Sequence, residues 1–199
     1  MATAPNVRLH FAPKPDKDVG ALRAGSIDLE IGVLGKSGPE IRVQTLFRDH
    51  FVCAVREAHP LLGTGEITAE RYAECGHVVA SRHGKERGPV DEALAALGLS
   101  RTVVAVVPSF RAALSVASVS DLLALVTDSF FNATQQQARS GPLEVKSFPL
   151  PVRTEAITVS QMWHPPIDAD PAHRWLRGLV LAACREAGLV MNTDKAPTQ

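Results

Sequence analysis

The chain has 199 residues, 45% of them hydrophobic and 21% charged, with 21 basic residues balanced by 21 acidic ones. That length supports one large domain or two small lobes with proper cores, and the balance excludes any built-in global attraction to nucleic acid or anionic membrane. Cys53, Cys75 and Cys184 stand far apart without a C-x-x-C pair, which argues against a zinc site or a disulfide framework. The N-terminus carries no signal-like apolar run and no stretch nears the roughly 18 residues of a membrane span, so the expected compartment is cytoplasmic.

In chain order, residues 7–11 alternate as a strand, and a helix is expected around residues 18–24, capped by Asp16 or Asp18. Gly25 is placed to end that helix in the left-handed conformation. Residues 27–33 then read as a strand with Ile27, Leu29, Ile31 and Val33 on one face and Asp28 and Glu30 on the other; Gly32 leaves room for something to approach its backbone. Two extended runs, 41–47 and 51–56, look like neighbouring strands. Thr68 can cap a short helix to about Glu74, and residues 77–80 form a strand that ends in the polar loop SRHGKERG, residues 81–88.

Gly88 and Pro89 fit the cap and first turn of a helix whose Val90, Ala93, Leu94 and Leu97 share a face. Residues 102–107 are β-branched enough for a buried strand, and Ser109 introduces a helix to about Ser118. Short apolar runs at 122–126, 143–148 and 156–162 read as strands, with a helix from Asp128 to about Arg139 after the first of them. Asp170 and Pro171 open a last helix, on which Ala172, Trp175, Leu176, Leu179, Val180, Ala183 and Ala187 form one apolar stripe. The alternation of strands and helices predicts two α/β blocks with mostly parallel sheets.

Signatures of catalysis are missing. There is no G-x-S-x-G elbow, no G-x-x-x-x-G-K-[ST] phosphate loop and no H-E-x-x-H spacing among the histidines, so an enzyme is not favoured. The best ligand-facing segment is residues 81–88, whose glycines expose backbone amides and whose Ser81, Arg82 and His83 supply donors suited to a small anion. Pro108, Ser109 and Phe110 repeat that logic where a strand gives way to a helix. Ligands of α/β sheets favour the crevice beyond the carboxyl ends of strands, which is where both segments fall.

Four separated runs, LRAGSIDLEIGV (22–33), LFRDHFVCAVREAHPL (46–61), SRHGKERGPVDEALAALGLSR (81–101) and DPAHRWLR (170–177), resemble in this order the effector-binding domain of LysR-type transcriptional regulators. The resemblance implies an α/β fold of the periplasmic-binding-protein (type 2) kind, two Rossmann-like lobes joined by crossover strands with an effector cleft between them. Crossings are expected near 78–81 and 157–162, giving residues 1–79 plus 158–199 as lobe one and 80–157 as lobe two. By the same resemblance the cleft is lined by Pro13, Lys14, Gly32, Val33, Ser81, Arg82, His83, Gly84, Ser109, Phe110 and Thr127. Leu34, Pro13 and Phe110 imply an apolar wall, and Arg82, His83 and Lys14 an acidic or aromatic-acid effector.

Relative to the family, the chain is expected to be N-terminally truncated. By this resemblance the winged helix-turn-helix and its linker, and the effector domain's own first strand and helix, are expected to be missing from the sequence. The implied partners are a small-molecule effector, a second copy within the full-length regulator, and DNA only through the absent helix-turn-helix, with no cofactor and no membrane. The alternative is a stand-alone small-solute-binding protein of the same fold, which requires a secretory or lipoprotein signal. A small dehydratase-like enzyme would need a catalytic pair in the cleft, and His83 with Ser81 is the local candidate.

Overall fold

A computed structural model describes residues 4, 6–12, 19–35, 38–63, 65–136 and 143–189. Its elements in chain order are α1 (Gly20–Arg23), β1 (Glu30–Val33), β2 (Arg42–Asp49), β3 (Phe51–Arg56), α2 (Ala69–Glu74), β4 (Gly76–Ala80), α3 (Pro89–Ala95), β5 (Thr102–Val107), α4 (Phe110–Ser118), β6 (Leu123–Thr127), α5 (Asp128–Gln136), β7 (Val145–Pro149), β8 (Ile157–Trp163) and α6 (Pro171–Glu186). Local chemistry sets most of the boundaries. Thr68, Ser109 and Asp170 each accept a hydrogen bond from the backbone N–H three residues on, capping α2, α4 and α6, and Pro89 and Pro171 occupy first helical turns where a missing N–H costs nothing. Gly25 takes a φ of +67° after α1, the left-handed conformation expected there.

The strands form two sheets. The smaller has the order β1-β8-β2, with antiparallel neighbours, and the larger has the order β5-β4-β6-β3-β7, in which β4 runs parallel to β5 and β6 while β3 is antiparallel to β6 and β7. This pairing differs from the sheet membership expected for β3 and β4. β3 and β4, expected in lobe one with residues 1–79, are hydrogen-bonded into the larger sheet, so the chain changes sheets at His50 rather than near residues 78–81. The return runs through residues 150–156 to β8, close to the expected second crossing.

The reason lies in β3 itself. Its Cys53 and Val55 face a cluster with Tyr72, Val90, Leu94, Leu123 and Phe148, and its Val52 and Ala54 face another with Val78, Ala113, Leu114, Ala124 and Val126. A strand apolar on both faces must lie at the centre of a sheet covered on both sides. β2 leaves residues 42–45 exposed and has no such demand.

Among the described residues most of the hydrophobic core belongs to the larger sheet. Its two faces carry clusters of eleven and ten buried residues among those described, whereas the cluster described on the smaller sheet has four, Val19, Leu22, Ile41 and Met162. At about 1.5–3 kcal/mol for each fully buried aliphatic or aromatic side chain, that difference dominates the hydrophobic term.

The smaller sheet is correspondingly open. β1 is an edge strand whose Ile31 and Val33 are 49% and 43% exposed. Residues 7–11, expected as a strand, form none, and every residue from 6 to 12 is exposed; without a neighbouring strand the backbone donors and acceptors have no ladder to join. The stripe expected on α6 is only half covered, because His173 is the single buried residue of that helix. Polar contacts hold α6 instead. His173 Nε2 donates to the Asp28 carbonyl at 2.9 Å, and the Arg177 guanidinium lies 4.3 Å from the centre of the Trp163 ring. None of the described helices is long and apolar enough to cross a membrane.

Candidate functional site

The parallel strands β4, β5 and β6 end on the same side of the larger sheet, and β3, antiparallel to β6, begins there. Ser81, Ser109 and Thr127 therefore stand at one rim, beside the crossover at His50. Two contacts fix that neighbourhood: Ser81 N–H donates to the Val107 carbonyl at 2.8 Å, and Phe51 pairs with Thr127 across β3 and β6. On the smaller sheet, Val33 at the end of β1 lies opposite Val159, itself two residues from Ile157, where β8 pairs with Asp49 at the end of β2. Gly32, Val33 and Leu34 thus stand at the rim of the smaller sheet that faces the crossovers.

The topology puts Gly32 and Val33 at the rim of the smaller sheet and Ser81, Ser109, Phe110 and Thr127 at the rim of the larger one, with residues 82–84 on the loop that leaves β4. Pro13 and Lys14 lie outside the described residues. Among the described residues nothing lies within 4 Å of where a Cβ on Gly32 would be. Gly84 sits at a φ of +67° and permits the turn in the loop.

The 81–88 loop is held at both ends. Ser81 Oγ accepts from Lys85 N–H at 2.8 Å, and Gly88 N–H donates to the Asp91 carboxylate at 2.8 Å. Asp91 is in turn gripped by Arg101 through two hydrogen bonds of 2.9 Å, the Arg101 side chain being 2% exposed. Burial by itself raises the Asp91 carboxyl, but the Arg101 guanidinium and the Gly88 N–H outweigh it and hold the group below its ordinary range. Arg82 and His83 are exposed on this loop.

Hydroxyl side chains recur along the rim of the larger sheet. Ser81 Oγ accepts from Lys85 N–H, and Ser109 Oγ accepts from Ala112 N–H at 3.2 Å as the cap of α4, so each has a lone pair committed to backbone and its own proton left to donate. With Thr127, three hydroxyl side chains end three adjacent parallel strands. Phe110 supplies an apolar flank, its ring 5.5 Å from that of Phe130, and it also packs on the core beneath. Ser81 and His83, the pair named for an enzymatic reading, are not hydrogen-bonded to each other.

Two features escape a reading of the sequence. Asp49 and Ser129 meet at the seam, 80 positions apart, and nothing local in either segment announces the contact. At the opposite end of the larger sheet, a shallow hollow of about 420 Å³ is lined by His59, Leu61, Arg71, Glu74, Cys75 and Asp121 among others. Its polar groups are consumed by the protein: His59 bonds the Asp121 carbonyl and Leu61 N–H, and Arg56 pairs with Asp121 at 2.7 Å. Among the described residues no group of three or more His, Cys, Asp or Glu is gathered to hold a metal.

Comparison with known proteins agrees with the architecture. The chain is 32% identical over 186 residues to the HTH-type transcriptional regulator SyrM of Rhizobium meliloti, covering 93% of this chain and 55% of SyrM. The structure of the probable transcriptional regulator PA0477 from Pseudomonas aeruginosa superposes with a TM-score of 0.74 at 29% identity, covering 89% of this chain and 57% of that one. The effector binding domain of QuiR in complex with shikimate shares the fold, with a TM-score of 0.62 at 17% identity over 84% of this chain and 77% of that one. The chain spans about half the length of the curated relatives it matches. The profile of the LysR substrate binding domain matches residues 1–189, and the chain belongs to that family.

Proposed function

We propose that this chain is the sensing part of a DNA-binding transcription regulator and that it takes a small carboxylate, cyclic or aromatic, in the seam between its two sheets. The observation that carries the choice of ligand is the row of hydroxyls, Ser81, Ser109 and Thr127, on three adjacent strand ends, two of them with their protons left to donate. Donors of this kind suit carboxylate and ring hydroxyl oxygens. The apolar flank of Phe110, Val33 and Leu34 suits a ring. Shikimate, which QuiR holds, combines both features.

The sheets of residues 30–49 with 157–163 and of residues 51–149 act as the two lobes, hinged at His50 and at residues 150–156. A ligand that bonds both rims binds the closed arrangement better than the open one and shifts the population toward it. A differential of about 1–3 kcal/mol, about 5- to 150-fold in affinity, suffices for a regulatory response. In the longer regulator this shift is passed to a helix-turn-helix domain and to a second copy of the protein; the present chain, with balanced charge, does not read DNA by itself.

Thermal unfolding with shikimate, benzoate and further ring carboxylates tests the reading. A true effector at one hundred times its Kd adds about 2.7 kcal/mol to stability. Ser109→Ala or Thr127→Ala should shrink that increment. An increment unchanged in both variants would place the ligand elsewhere.

A further inference from the structure

Asp49 is the last residue of β2 and only 7% exposed, although the chain leaves the smaller sheet one residue later. One of its carboxylate oxygens accepts from His50 N–H at 2.9 Å and from Ser129 N–H at 3.3 Å, and the other accepts from the Ser129 hydroxyl at 2.6 Å. Ser129 lies in the first turn of α5, on the larger sheet's side of the seam. The neighbouring Asp128 N–H donates to the His50 carbonyl at 3.0 Å. A side chain of one sheet therefore caps a helix of the other, and the single-residue crossover is itself bonded to that helix through its carbonyl.

We propose that Asp49 is a positioning residue of the effector site, a latch across the hinge that fixes Thr127 relative to the rim of the smaller sheet. The assignment rests on reading the seam as the effector site. Ser129, which Asp49 grips, lies two residues after Thr127 in the chain, so the latch acts on a ligand-facing wall without itself touching the ligand. A carboxylate suits this task because it accepts all three donors and its negative charge complements the start of a helix. Three hydrogen bonds, one to an N–H one residue away and two to a residue 80 positions away, make the crossover stiff where a one-residue link would otherwise rotate freely.

The test measures interlobe geometry without ligand. Spin labels are placed at Val119→Cys, 84% exposed at the end of α4, and at Arg174→Cys, exposed on α6, with Cys75 and Cys184 replaced by serine. Electron-electron resonance should give one narrow distance distribution for the parent. Ser129→Ala and Asp49→Asn should at least double its width or add a second distance, and Ser129→Thr, which keeps the hydroxyl, should restore the parent profile. A role confined to stability predicts lowered unfolding midpoints with superposable distributions, and that result overturns the proposal. Should Asp49→Asn fail to fold, Ser129→Ala decides alone.

Shikimate affinity, measured by calorimetry on the same variants, should fall about fivefold or more. A parent that binds no shikimate while the distributions broaden removes that effector and leaves the latch standing. Unchanged distributions remove the latch whatever binds.

Discussion

His77 gives the stability of this domain a defined pH dependence. It lies on β4 with no exposed surface, its Nε2 donates to the Tyr72 carbonyl at 3.0 Å, and its ring meets the Tyr72 ring edge-on at 4.6 Å. A carbonyl can only accept, so the proton sits on Nε2, and Nδ1 is a buried acceptor with no partner. Protonating Nδ1 would add a charge that burial disfavours and that the Arg101 guanidinium repels. These two causes pull the imidazole from its ordinary 6.5 down to about 4.

The unfolded histidine binds a proton below 6.5 that the folded one refuses until about 4. Its contribution to stability is therefore intact above 6.5, declines as the pH falls through that window, and is lost near 4. A separation of about 2.5 pH units at about 1.4 kcal/mol per unit amounts to about 3 kcal/mol.

Urea unfolding followed by far-ultraviolet circular dichroism from about pH 7 to about pH 4 measures it, with His77→Gln as reference. The glutamine can keep the bond to Tyr72 but does not titrate, so subtracting its profile removes the carboxylates common to both proteins. The wild-type advantage over His77→Gln should shrink by about 3 kcal/mol across the window. A difference constant to within about 1 kcal/mol would refute the assignment of a neutral, buried His77.

The Asp91–Arg101 pair should be asymmetric: Asp91→Ala strands a guanidinium that is 2% exposed and should cost about 3–5 kcal/mol in urea unfolding, whereas Arg101→Met leaves a carboxylate that keeps Gly88 N–H and reaches water. Equal losses would contradict that. Because the Asp91 carboxyl is held below its ordinary 3.8, its contribution is present above that value and disappears only at more acidic pH, beyond the His77 window. Ser109→Asp should keep the cap of α4 and the urea midpoint, yet weaken binding of any carboxylate by repulsion; calorimetry showing undiminished affinity would remove Ser109 from the site. Leu114→Ala, in the fully buried core under α4, should cost about 2–5 kcal/mol, and Trp175→Ala on α6, 37% exposed, clearly less; equal unfolding midpoints would mean that α6 is better covered than described.

Particular residues mark what could be read from the sequence. The bounds of Phe51–Arg56 and Thr102–Val107 are legible to the residue because β-branched and apolar runs end at turn formers, although Thr102–Val107, expected to be buried, is an edge strand with Val104 60% exposed; Thr68, Ser109 and Asp170 announce their helices through side-chain oxygens. The strand-end positions of Ser81, Ser109 and Thr127 are legible for the same reason, since strand ends can be located from such punctuation. Sheet membership is another matter. The pattern of β3 reveals a strand buried on two sides but not which strands flank it, and the crossover at His50 is as short as an ordinary turn, so β3 reads as a neighbour of β2. Residues 7–11 alternate correctly, yet pairing depends on a partner that periodicity cannot supply. The Asp49–Ser129 contact depends on the folded path of 80 residues and has no local signature.

The most direct measurement of the central claim is amide chemical-shift mapping of the whole chain during titration with shikimate, benzoate and related ring carboxylates. If the seam is the effector site, the largest shifts for a binding compound fall on residues 32–34, 81–84, 109–110 and 127–129, on both sheets at once. Shifts confined to the hollow around His59 and Cys75, or no shift with any carboxylate at millimolar concentration, would contradict the account.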